Sequence, residues 1–437
     1  MTDTAASMRK AYSTSASSVV EVTAQCMEYC RHDPHNAIIT VNEDAATAAQ
    51  ASAERYQQQS SYGLWDGIPY VAKDNIAVAT LPWTAGIDAY RHRIATDDAD
   101  LIAWLKQQGA ILIGKSNLHE AALGTSSDNP WFGQCHHPLC HGFSPGGSSG
   151  GSAVAVAAGY VPLALGTDTM GSVRIPAVYC GVYGYKPGYG MVSGNGVTPL
   201  SAVLDTIGLI AASAKDLQLY GSSLSGIDAD TTNHTPLVIG TLSKSATADC
   251  SDEVAHCYRD AIEHLIHNSA DQGVQITEVE WFDSPTLNRR AGLTLCVDEA
   301  YREHEAALLQ SPDRFSSELI KLLTFGRNLD AAKLDQAHTQ IAQLKSQVQT
   351  VWSAVDLVLT PATPCATHRF NDTVPMNLAD YTAVANLTGV PSTALPWGRC
   401  SNGLSLGLQL IGKSGGDNSL LAQTRVIDNL LHTHAAK

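Results

Sequence analysis

No Cys-x-x-Cys pair occurs in the sequence, although cysteines stand at positions 26, 30, 135, 140, 180, 250, 257, 296, 365 and 400. Scattered thiols without framework spacing read as the reduced cysteines of a cytosolic protein, not as a disulfide scaffold. Long apolar runs are missing too. The longest, Ala153 to Gly166, has 14 residues and is broken by Gly159 and Pro162, which is too short to cross a bilayer. The Ser/Thr/Ala-rich start has no apolar h-region, and Asp3 and Glu21 speak against a secretory signal. A loose start is expected there, with an organellar transit peptide as the other reading. Charged residues are sparse, at 16%, which excludes a coiled coil and a disordered charged chain. Basic residues are scarcer than acidic ones, 27 against 42 for a net charge of −15. Such a surface repels phosphate backbones and anionic lipid, so neither nucleic acid nor a membrane is an expected direct partner.

What is present is enough apolar material, 44% of 437 residues, to bury a large core without staples. Helical periodicity marks Val19 to His32 and Glu43 to Gln59, an N-terminal helical layer at about 1–62. Gly67 to Lys73 reads as a strand, Asp98 to Gln108 as a helix and Ala110 to Gly114 as a second strand, which implies a parallel pair under a crossover helix. A buried helix from Ser152 and a strand Val161 to Leu165 follow. Helices at about 213–222, 250–270, 286–309 and 329–351 alternate with strands at about 236–241 and 273–281. The C-terminal part adds strand Val355 to Thr360, a helix, a strand, strand Leu404 to Ile411 and helix Asn418 to His432. The fold class expected is α/β, one large domain over 1–437 with a central mixed sheet covered by helices.

Four constellations carry candidate chemistry. Between Gly124 and Gly151, 28 residues hold seven glycines, three prolines and five serines, and irregular segments of that length are usually functional. They end in Gly146-Gly-Ser-Ser-Gly-Gly-Ser152, a loop opening an apolar helix, where free N–H groups can cradle an anion or simply allow close packing. No P-loop or GxGxxG fits. The second is Gly166-Thr-Asp-Thr-Met-Gly-Ser172-Val-Arg-Ile-Pro176, a strand end where Ser172 is either a helix N-cap or a nucleophile beside its own oxyanion donors. The third is Lys73, which follows an apolar strand and is either a surface edge lysine or a buried, functional one. The fourth, Cys135-His-His-Pro-Leu-Cys-His141, crowds too many ligands into one loop for tetrahedral zinc, and no metal is expected.

Taken together these segments resemble the amidase signature family of serine hydrolases. The resemblance rests on Gly146 to Ala153, Gly166 to Ala177, Cys180-Gly-Val-Tyr-Gly-Tyr-Lys-Pro-Gly-Tyr-Gly190 and Leu406 to Gly412, and covers about 65–210 and, less densely, 355–430. It implies Ser172 as nucleophile, Ser148 as a bridging serine in a cis peptide and Lys73 as terminal base, with the family's spacing of 24 between the serines. Backbone N–H groups of Thr169, Met170, Gly171 and Ser172 are the implied oxyanion donors, Ser149 an implied substrate contact, and Asp168 with Arg174 the implied braces. Met170 and Gly188 depart from the family's glycine and threonine. The side chain of Met170 is expected to fill space beside the acyl carbon, and the region 225–350 is expected to vary with substrate.

The implied reaction is hydrolysis of a carboxamide or urea-type C–N bond through an acyl-enzyme, without a cofactor. Low aromatic content, 6%, and Met170 favour a small polar amide over a lipid or aryl amide. The alternatives are the glutaminase subunit of a tRNA-dependent amidotransferase, a hydrolase of larger aryl or acyl amides and, from another class, an anion-binding module without catalysis. Expected partners are the small-molecule amide and a second copy of the chain, or small partner subunits on the amidotransferase reading.

Overall fold

A computed structural model describes residues 4–15, 17–226, 229, 236–269, 273–280 and 284–433. The chain opens with α1 (Ala5–Ser13), α2 (Val19–Arg31), β1 (Ile38–Val41), α3 (Ala45–Gln57), β2 (Pro69–Lys73), α4 (Asp100–Gln107) and β3 (Ile111–Ser116). Next come α5 (Gly150–Ala157), β4 (Leu163–Asp168), α6 (Arg174–Cys180), β5 (Tyr183–Lys186), β6 (Thr206–Ala211), α7 (Ala214–Leu224), β7 (Leu237–Leu242), α8 (Asp252–Asn268) and β8 (Val274–Val279). The rest comprises α9 (Pro285–Gln310), α10 (Ser317–Arg327), α11 (Ala331–Trp352), β9 (Leu357–Pro361), α12 (Ala383–Leu387), β10 (Ser392–Arg399), β11 (Ser405–Ile411) and α13 (Asp417–His432).

All eleven strands join one mixed sheet in the order β1-β3-β2-β4-β6-β5-β10-β11-β9-β7-β8. As expected, β2 and β3 are a parallel pair, and β4 continues it on the other side of β2. Each residue of β2, β3 and β4 is buried, which accounts for their near-continuous apolar reading, since a parallel sheet is covered on both faces. One apolar core, with Val71, Ile113, Ala155 and Leu165, lies around these strands. A second, with Leu295, Leu323, Leu344, Leu359 and Leu410, lies under α9, α10 and α11.

Several expectations need correcting. The N-terminal layer is not purely helical: β1 pairs antiparallel with β3 and edges the sheet. The start is not loose either, because Thr4 caps α1 and Asp216 accepts from the N–H groups of Ala5 and Ala6 at 2.8 and 3.0 Å. Strand β4 runs three residues further than expected, so Thr167 and Asp168 are strand residues. Three helices, α1, α6 and α10, have no counterpart in the periodicity of the sequence. Residues 270 and 281, at the ends of an expected helix and strand, lie outside the described residues.

Candidate active site

The site lies at the carboxyl ends of β2 and β4, the edge of a parallel sheet where loops gather polar groups. Lys73 is the last residue of β2 and is fully buried, as are Ser148 and Ser149. Its Nζ donates to Ser148 Oγ at 2.8 Å and to Thr167 Oγ1 at 2.8 Å. Among the described residues no carboxylate joins this group at hydrogen-bond distance. Burial lowers the Lys73 pKa to about 7, opposed by the negative charges of Asp205 and Asp168. Asn75, two residues further, donates to Thr167 Oγ1 at 3.0 Å, and the hydroxyl is thereby fixed as a shared acceptor. His119 is half-buried nearby, its pKa pushed down to about 4 by desolvation and by the charge of Lys73.

The glycine-rich loop brings Ser148 to the lysine. Its Gly147–Ser148 peptide is cis, as the resemblance implied. Gly147 is packed against backbone: a β-carbon there would lie 2.9 Å from the carbonyl carbon of Thr125. Ser149 N donates to the carbonyl of Ser172 at 3.1 Å, which ties this loop to the second motif. The Ser149 hydroxyl turns inward to the Thr167 carbonyl at 3.2 Å, so it packs the two motifs together.

Ser172 is the partly exposed serine of the three. It sits in the turn between β4 and α6, and the turn is built on Asp168. Asp168 accepts from Gly171 N at 2.7 Å and Val173 N at 3.1 Å, and pairs with Arg174 at 2.8 Å with both side chains fully buried. Burial raises the Asp168 pKa, but Arg174 outweighs it and holds the carboxylate at about 2. Arg174 in turn donates to the Thr382 carbonyl, Gln409 and Asn386, so α12 and β11 hold the turn from behind. The Gly171 N–H, expected among the oxyanion donors, is therefore taken by Asp168. Among the described residues no protein oxygen accepts from the N–H groups of Thr169, Met170 or Ser172. Gly171 has φ +131, and a β-carbon there would lie 2.7 Å from Thr382 Cβ, so both backbone and space require glycine.

Met170 keeps a negative φ, and its carbonyl accepts from Thr382 Oγ1 at 2.6 Å. Its side chain leans on α9: a β-carbon on Gly292 would stand 2.8 Å from the Met170 sulfur. The thioether thus has a helix as its packing partner, a role the sequence did not suggest. A cavity of about 480 Å³ borders the site, lined by Thr167, Ser193, Asn195, Asp205 and Thr206 among others. In the Cys135–His141 loop, His136 stacks on His141 at 3.7 Å while His137 Nε2 bonds the Tyr179 carbonyl at 2.9 Å. Among the described residues no three His, Cys, Asp or Glu side chains converge as metal ligands.

Sequence reasoning missed Thr167, Asn75, Asp205, Thr382 and Asn386. Asn75 could have been found, because it is a polar residue in the turn directly after the strand end that Lys73 marks. Thr382 and Asn386 had no local signal, since their role comes only from the long-range contact with Arg174.

A family model described as Amidase matches residues 21–421. The chain belongs to the amidase family. It is accordingly an enzyme acting on amide C–N bonds, which sets aside a non-catalytic anion module. A solved amidase crystal structure superimposes on this amidase with a TM-score of 0.90 at 29% identity, over 98% of this chain and 100% of that one. A glutamyl-tRNA(Gln) amidotransferase subunit from Legionella pneumophila (strain Paris) is 31% identical over 462 aligned positions, covering 95% of each chain. The indoleacetamide hydrolase of Pseudomonas syringae pv. syringae is 38% identical over 264 positions, 60% of this chain and 58% of that enzyme. No helix among the described residues is long and apolar enough to cross a membrane.

Proposed function

We propose that this amidase hydrolyses a small polar carboxamide or urea-type amide through an acyl-enzyme on Ser172. The observation that carries the reading is the buried Lys73 ammonium at 2.8 Å from Ser148 Oγ, in a loop hydrogen-bonded to the Ser172 carbonyl. An ordinary lysine, with a pKa of ~10.4, is neutral too rarely at pH 7 to act as a base, a penalty of about 4.6 kcal/mol. Burial to about 7 removes nearly all of it. Neutral Lys73 accepts the proton of Ser148 while Ser148 accepts that of Ser172, whose oxygen attacks the amide carbon. The oxyanion is received by the N–H groups of Thr169, Met170 and Ser172, each contributing about 3 kcal/mol by the usual mutational measure. Gly171 shapes the turn, and Asp168 with Arg174 keeps it rigid. The relay then reverses and protonates the departing nitrogen. Water hydrolyses the acyl-enzyme by the same route.

Met170, whose side chain stands in the turn where the family has glycine, supports a small substrate. The second reading, a glutaminase subunit that passes ammonia to partner subunits, is favoured by the amidotransferase relative that matches nearly end to end. A panel of amides including glutamine, read by ammonia release from the isolated chain, separates the two. Turnover of a free amide without partners supports the first reading, and glutamine hydrolysis alone supports the second. Ser172→Ala should abolish both turnover and covalent labelling by a fluorophosphonate with the fold intact, because one turn hydroxyl contributes little packing. Labelling that persists in this variant moves the nucleophile elsewhere.

A further inference from the structure

Asp205 precedes β6 and belongs to none of the motifs that the sequence pointed to. Its Oδ1 accepts from Thr169 Oγ1 at 2.5 Å, and its Oδ2 accepts from the N–H groups of Leu200 and Ser201 at 2.8 and 3.2 Å. It therefore clamps the first residue of the turn to the loop in front of β6. It also lines the 480 Å³ cavity together with Thr167, the hydroxyl that Lys73 contacts.

Among the described residues, the charge of Asp205 has no cation of its own. Asp168, the other carboxylate acting on Lys73, is matched by Arg174, whereas the positive charge acting on Asp205 is that of Lys73. The remaining groups around them are accounted for. From α9, the buried Cys296 thiol feels both Asp205 and Glu299, and Glu299 itself accepts from Ser201 Oγ and Ala202 N. From the segment after β3, His119 faces Lys73 and stays neutral. A clamp that needed only an acceptor for three hydrogen bonds could have used a neutral side chain. A half-buried carboxylate without a paired cation is costly, and here desolvation raises its pKa to about 6.

We propose that Asp205 is a positioning residue that fixes the Thr169 end of the turn and supplies the negative charge that keeps Lys73 basic enough to serve as the relay's terminus. The inference rests on the roles given above to Lys73 and the turn. Ionised Asp205 favours the protonated lysine, so removing its charge lowers the affinity of Lys73 for a proton. The acid limb of the rate then moves to lower pH, while the weaker base and the freed Thr169 reduce the plateau.

The test is the rate of fluorophosphonate labelling against pH for the full chain, which needs no knowledge of the substrate. For Asp205→Asn the limb midpoint should fall by about one unit and the plateau by about ten-fold. Asp205→Glu, which keeps a carboxylate, should return the midpoint to that of the parent. Thr169→Val, which removes the hydroxyl alone, should lower the plateau and leave the midpoint in place. An Asp205→Asn midpoint equal to the parent's overturns the proposal, whatever happens to the plateau. If circular dichroism shows that Asp205→Asn does not fold, Thr169→Val decides: a moved midpoint or an unchanged plateau overturns it. Continued labelling of Ser172→Ala instead defeats the nucleophile assignment, a failure independent of Asp205.

Discussion

Lys73 and Lys115 are two fully buried lysines on neighbouring strands with opposite solutions to burial. Lys115 pairs with Asp74 at 2.7 Å, both side chains inaccessible. Lys73 has only hydroxyl and carbonyl oxygens around its Nζ, so its proton is the easier one to remove. With its pKa lowered to about 7, Lys73 should be neutral above pH 7 and protonated below it, and activity should fall as pH drops through that value. A pH–rate profile of kcat/KM checks this. Lys73→Ala should lose most of the rate near neutrality, with a residue that climbs toward high pH as hydroxide takes over the missing base. An unchanged neutral rate sinks the assignment. The positions of Lys73, Ser148 and Ser172 were legible because short motifs placed them at a strand end and in two glycine turns. The fate of the Gly171 N–H was not, because only the fold shows that Asp168 takes it.

At the scale of elements, α9 meets the turn that carries Ser172 where its smallest residue lies beside a flexible one, Gly292 under the Met170 sulfur. Most of the long helices outside the motifs were readable from periodicity, α9 itself nearly to its ends. What periodicity could not tell is which residue of α9 meets Met170. Helix α6 escaped because Pro176 and the flanking glycines look like a turn, and β1 escaped because its four residues are only half-buried. The contact makes a specific prediction. Gly292→Ala crowds the Met170 side chain, which can bend away, and should change the ratio of kcat/KM for bulky and small amides by about ten-fold, equivalent to ~1.4 kcal/mol. Met170→Gly should leave a gap and favour the bulkier amide. Equal losses on both amides would show that Met170 only sets backbone geometry.

Across the whole molecule, a second lysine withdrawn from water adds to the response to pH. Lys186, at the end of β5, is fully buried with its Nζ on the Pro187 carbonyl, and burial lowers its pKa to about 7, as it does for Lys73. Between pH 7 and the ordinary lysine value the unfolded chain binds more protons than the folded one, so these groups make stability rise with pH in that window. The contribution is lost as pH falls toward 7 and does not change further below it. Lys186→Met removes one such group. The stability of the parent relative to this variant should therefore increase with pH from 7.5 to 9, by up to about 1.4 kcal/mol per unit. Urea unfolding of both at each pH checks it, and a pH-independent difference would place the lysine's proton elsewhere.

The partners of Arg174 also bear on how the enzyme comes into being. The guanidinium is held by the carbonyl of Thr382 and by the side chains of Asn386, Ser392 and Gln409, more than 200 residues downstream. A ribosome that has released both serine motifs has not yet released the groups that lock the turn carrying Ser172. The nascent chain carries Ser172, the proposed nucleophile, for most of translation without the frame that aims it. Competence arrives late in synthesis, when β10 and β11 add to β5, and a chain halted before that point is a scaffold with an idle serine.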